Sequence, residues 1–191
     1  MDKTVLPVRR FASATDFEEW LAKNHARSPG LWLRFFKKSV SKKSLSHADA
    51  LEAALSYGWI DGQLKKFDDV SYLHKFTPRG AKSIWSKVNR EHIERLEKEG
   101  RMRPGGRAAV AAAKKDGRWD RAYASQGTME MPADFLKALA KDKKAKTFFN
   151  TLNRANRYSI AWRLQTAKKP ETRQKRMETI IAMLSRNEKF H

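Results

Sequence analysis

GWIDGQLKKF (58–67), DD (68–69) and VSYLHKF (70–76) are the residues on which the fold turns. Both runs carry the aromatic and aliphatic side chains of strands, and the Asp68-Asp69 connection is short enough for a hairpin. At strand spacing Trp59 and Asp61 share a face, which puts a carboxylate beside an indole on a sheet. His74 would form an acid–base pair with Asp61 if the two share that face. Upstream, LWLRFFKK (31–38) alternates and is rich in aromatics, as a strand is. VLPVRR (5–10) suits only a short edge strand, because Pro7 has no N–H to donate. Thr15 with Glu18 reads as a capping box opening a helix that carries Phe17, Trp20 and Leu21 on one face. Ser46 with Asp49 caps a second helix, with Ala50, Leu51, Ala54 and Leu55 at helical spacing and Gly58 as its stop.

After Pro78-Arg79-Gly80 the pattern is helical throughout. Ser86 caps a helix to Glu99 whose buried face holds Val88, His92, Ile93 and Leu96, with Gly100 beyond its end. A helix from Pro104 to Lys115 follows, then a loop containing Trp119, Tyr123 and Gly127. Pro132 begins the next helix, and further helices are expected over 143–152, 155–168 and 171–186, the last two divided by Pro170. The expected fold is α+β: a small antiparallel sheet with helices in residues 1–100, and an all-helical part over 101–191 packed on it. Trp162 is expected to be buried.

Composition narrows the chemistry. The 191 residues include no Cys, which excludes disulfides, Cys-based zinc sites, iron–sulfur clusters and thiol nucleophiles. The five histidines fit no paired-ligand spacing, no serine stands in a GxSxG elbow, and no dinucleotide or Walker loop is present. No cofactor and no metal are therefore expected, and an enzyme is disfavoured. Neither a signal-peptide run nor a membrane span is visible, so a soluble, cytoplasmic protein without membrane insertion is expected. With 41 Lys+Arg against 21 Asp+Glu the net charge is +20, which points to an anionic partner, nucleic acid among the candidates. Residues 81–191 hold 27 of the basic and 12 of the acidic residues, so the excess is C-terminal.

Three constellations carry potential function. Trp59, Asp61, Tyr72, Arg79, Trp85, Ser86 and Asn89 cluster around the hairpin and the turn into the first long helix. There a carboxylate and a guanidinium bracketed by indoles would hold a polar or aromatic ligand, or Asp61 and Arg79 would simply pair and organise the loop. Arg101, Arg103, Gly105, Gly106 and Arg107 precede the alanine-rich helix, where backbone N–H groups and arginines suit an anion. Basic residues of the C-terminal segment, Lys168 and Arg173 among them, lie near Tyr158 and Trp162 and would track a polyanion.

The order GWIDG (58–62), Tyr72, FTPR (76–79), SIWSKVN (83–89) and LEKEGRM (96–102), followed by AKKDGRW (113–119) and AKKPETRQKR (167–176), resembles the bacteriocin-protection, YdeI/OmpD-associated family over nearly the whole chain. Its motif positions here are Trp59, Asp61, Arg79, Trp85, Ser86 and Asn89, with Lys168, Thr172 and Arg173 further on. The resemblance implies a role in resistance to bacteriocins, antimicrobial peptides or envelope stress, and it brings no catalytic residue with it. The favoured function is non-enzymatic binding. Nucleic-acid binding driven by charge, and a small-molecule enzyme using Asp61 and Arg79, are the alternatives.

Overall fold

A computed structural model of the chain describes residues 5–37, 39–40, 44–125 and 127–190. It divides into two compact units, residues 1–85 with 89–122, and residues 86–88 with 123–191.

The first unit is built on a four-stranded sheet of β1 (Val8–Arg9), β2 (Leu31–Phe36), β3 (Trp59–Lys66) and β4 (Ser71–Pro78), in the order β1-β2-β4-β3. The expected hairpin is β3–β4. Its turn is rebuilt by Asp68, whose carboxylate accepts from Val70 N at 3.0 Å and Ser71 Oγ at 2.6 Å, so Phe67 and Val70 leave the ladder. The sheet is not purely antiparallel: β1 runs parallel to β2, because the helix α1 (Ala14–Asn24) carries the chain back between them. The α1 capping box is Ser13 with Asp16 and not Thr15 with Glu18; Ser13 is extended, and its hydroxyl and Asp16 exchange hydrogen bonds with each other's backbone N–H.

Alternation in β2 buries Leu31, Leu33 and Phe35. With Phe76 and Trp59 they meet Phe17 and Leu21 of α1 and Ala50, Ala53 and Ala54 of α2 (His47–Ser56) in one apolar core. Ser46 caps α2 as expected. A second core gathers Leu55, Trp85, Ile93, Leu96, Met102 and Trp119 around α3 (Lys87–Lys98) and α4 (Pro104–Lys115). Val88 is not on that buried face but 38% exposed. A Cβ on Gly106 would stand 2.2 Å from Ser56 O, so only glycine lets α4 lie on the end of α2. This contact is why α4 belongs with the sheet and the boundary falls at residue 122, not at 100.

The second unit contains α5 (Ala133–Leu139), α6 (Lys143–Thr151), α7 (Arg154–Gln165) and α8 (Pro170–Ser185). Asp142 and Asn153 cap α6 and α7 through their side chains. Pro132 stands just outside α5 as its N-cap. Phe135, Leu139, Phe149, Ile160, Leu164 and Ile180 form its core. Trp162 is only half-buried, its ring edge-on to Tyr123 at 6.1 Å. Of the four-residue pair Tyr158 and Trp162, neither enters that core.

Candidate functional site

The sheet face turned to α1 and α2 carries a polar cluster of two histidines and a carboxylate. Trp59 sits deepest, its indole Nε1 donating to His25 O at 3.0 Å. Asp61, two residues along β3, pairs with Phe76, and a bulge separates it from Leu64, which pairs with His74. The bulge leaves the Gly62 carbonyl within 3.1 Å of His74 Nε2, and the same nitrogen lies 3.5 Å from Asp61 Oδ2. His47, the first residue of α2, brings its Nε2 to that oxygen at 3.1 Å. The two imidazoles stack with centroids 4.5 Å apart and planes 15° from parallel. Side-chain exposure rises from 12% at His74 through 24% at Asp61 to 34% at His47, so the cluster opens at the His47 end.

Burial tends to raise the Asp61 carboxyl, but the His47 hydrogen bond and the charges of His74 and His47 outweigh it and hold the group below its ordinary value. Burial pushes His74 down, and His47 pushes it further, against the opposing pull of Asp61 and the Gly62 carbonyl. Near neutral pH the result is a carboxylate beside a neutral, partly buried imidazole.

Arg79 takes other partners than Asp61. Its guanidinium lies 3.5 Å from the centroid of the buried Trp85 ring and donates to Ile84 O at 3.2 Å and Ser83 Oγ at 3.4 Å. The pairing considered for Asp61 and Arg79 is thus replaced by two separate arrangements, and an enzyme built on both groups loses its joint site. Tyr72 shares the inner face, stacked on Phe35 at 5.6 Å. Ser86 bridges to Tyr123 in the second unit, while Asn89 is grouped with the first.

The arginines before α4 are engaged by carboxylates. Arg101 donates to Glu52 at 3.0 Å and Glu99 at 3.1 Å, and Arg107 to Glu97 at 3.0 Å. Gly105, like Gly106, serves close packing: a Cβ there would be 2.8 Å from Tyr57 O. Arg103 is exposed, its N–H donating to Ser56 O. In the second unit Arg173 makes a bidentate pair with Asp134, and Lys168 is exposed.

The opposite face of the sheet holds Trp32, Arg34, Phe36, Leu73 and Lys65 in register. Lys65 Nζ is 4.2 Å from the centroid of the Trp32 ring, and the Arg34 guanidinium is 4.6 Å from that of Phe67 and 5.2 Å from that of Phe36. These long side chains cover Leu73, which is 2% exposed although it joins no apolar cluster among the described residues.

Residues 9–109, which hold both faces of the sheet, match the model of a domain of unknown function, DUF8412. The chain belongs to the DUF8412 family. Residues 128–187 of this DUF8412 chain match a second model, described as bacteriocin-protection, YdeI or OmpD-associated. The resemblance is therefore borne out over the helical segment that holds Lys168, Thr172 and Arg173, and it ties that segment to bacteriocin protection at the level of the family. GWIDG, FTPR and SIWSKVN lie instead in the DUF8412 span, and AKKDGRW lies between the two matches. In AKKDGRW the structure shows a structural use: the buried Arg118 is held by Asp116 at 2.7 Å and donates to Ser83 O at 2.8 Å. No curated protein and no solved structure matches the chain. No helix of the described residues is long and apolar enough to cross a membrane.

His47 is the site residue that sequence reasoning passed over. It lies 14 residues from Asp61 and 27 from His74, on a helix start, and only a cap on α2 fixes where that residue points.

Proposed function

We propose that this DUF8412 protein is a non-enzymatic binding protein of bacteriocin or antimicrobial-peptide protection, or of a wider envelope-stress response, and that its partner is anionic. A chain of net charge +20 repels a cationic peptide, so protection by direct capture of such a peptide is electrostatically unfavourable. The observation that carries this reading is the outer sheet face, where Trp32, Phe36 and Phe67 alternate with Arg34 and Lys65 on a rigid support. Lys65 supplies attraction there, Arg34 being paired with Asp68 at 2.7 Å, and the rings supply flat apolar area.

A second reading, nucleic acid as the partner, is favoured by the same rings, since bases stack on exposed aromatics for about 1–3 kcal/mol each. Titration of the whole chain with a single-stranded oligonucleotide and with ring-free polyphosphate, at about 50 and 200 mM salt, tests both. Binding of both polyanions with a steep loss of affinity at the higher salt is expected. A Trp32→Ala loss seen only with the oligonucleotide selects nucleic acid, whereas an equal loss with both selects a ring-free anion. Absence of binding near physiological salt overturns the reading and leaves the charge as a solubility feature.

A further inference from the structure

We propose that His47, Asp61 and His74 form a binding site for one divalent transition-metal ion, of which zinc is the closest fit. Each residue offers a ligand atom, and the three atoms lie within 4.8 Å of one another. Zinc bonds to imidazole nitrogen and carboxylate oxygen of about 2.0–2.2 Å set the edges of a tetrahedron at about 3.3–3.6 Å. The His47–Asp61 and His74–Asp61 separations of 3.1 and 3.5 Å already approach those edges, and rotation of the stacked imidazoles to turn both Nε2 lone pairs to one point completes the site.

The donor set selects the class of ion. Two imidazoles and one carboxylate suit zinc and its neighbours in the first transition row, whereas calcium and magnesium prefer oxygen donors throughout. The three ligands come from β3, β4 and the capped start of α2, which hold them in place without metal. Three protein ligands leave coordination positions open at the solvent-facing His47 end, the arrangement of an exchangeable or ligand-accepting ion.

The structure also sets the strength. When His74 Nε2 binds metal its proton moves to Nδ1, which is buried and has no hydrogen-bond partner among the described residues. Ligating histidines ordinarily donate that proton to an acceptor, and lack of such support costs about 10–100-fold in affinity. The site is accordingly labile, and the fold does not depend on its occupancy.

Calorimetric titration of the whole chain with Zn2+ tests the assignment, with Co2+ absorption as an independent readout of nitrogen and oxygen ligation. One equivalent per chain is expected. His47→Gln, His74→Gln and Asp61→Asn should each weaken binding by about 100-fold or more, exceeding the loss of a mere supporting contact. His25→Gln and His92→Gln should leave it unchanged. If the His74 variant misfolds by circular dichroism, His47→Gln, at the more exposed edge, carries the test. No stoichiometric Zn2+ binding to the wild-type chain, or binding that survives in a folded His47→Gln variant, overturns the proposal.

Discussion

The two faces of one sheet solve the same problem in opposite ways. On the inner face, helices bury Leu31, Leu33, Phe35 and Phe76, and the polar residues that remain are drawn into a single cluster around Asp61. On the outer face, Leu73 is buried by the stems and rings of charged and aromatic neighbours, with Lys65 exposed and Arg34 half-buried and paired with Asp68. An enclosed face stores stability and restricts its polar groups to one geometry. A face covered by its own side chains gives up some of that stability and leaves Lys65 exposed.

The sharpest way to break the comparison is through the apolar groups themselves. Phe76→Ala removes a fully buried ring and should cost about 3–5 kcal/mol, read as a lower urea midpoint. Trp32→Ala on the other face should cost much less while impairing polyanion binding; an equal loss of stability would show that the outer face is a core in its own right.

Gly106→Ala comes next. Its new methyl would meet Ser56 O at 2.2 Å, a backbone atom, and the forced separation of α2 and α4 should cost about 1–3 kcal/mol. Thermal unfolding of the variant checks it, and an unchanged melting temperature would mean that the two helices slide apart freely.

The polar cluster sharpens the contrast through pH. His74 titrates below its ordinary value of 6.5, so below that pH the unfolded chain takes up a proton that the folded chain refuses. Its contribution to stability is present above pH 6.5 and declines as the pH falls from there. Asp61, held below its ordinary value of 3.8, adds a further decline beneath that pH. Urea midpoints measured across this range should show the upper decline shrinking in His74→Gln, whereas a profile identical to wild type would show that the imidazole is freely solvated.

The smallest effect belongs to the second unit's surface. Arg173→Ala breaks an ion pair whose Asp134 side chain is 52% exposed, so its cost should stay below about 1 kcal/mol and shrink further in salt. A larger loss would mean that the α5–α8 contact depends on this pair more than on Phe135 and Ile180.

What could be read in advance was local. Phe17 and Leu21 recur at helical spacing, Ser46 can reach the Asp49 N–H, and Pro104 fits a first turn, so each helix announces itself over a few residues. The α1 cap slipped by two residues because Ser13/Asp16 and Thr15/Glu18 are overlapping candidates that differ only in which residue is extended. Trp59 and Asp61 were placeable on one face through strand alternation alone, whereas His74 joins them only through the register of the bulged hairpin. His47 was not, since its approach depends on how α2 lies across the sheet.

The sequence by itself determined the hairpin, the helices, the absence of thiol chemistry and the excess of positive charge, because these depend on neighbours in the chain or on composition. Only the tertiary structure decided that Asp61 meets two histidines while Arg79 rests on Trp85. It alone decided that the glycines before α4 admit a helix and that the arginines there answer to Glu52, Glu97 and Glu99. Those outcomes rest on contacts between residues far apart along the chain, where sequence fixes what each side chain can do and packing fixes which partner it finds.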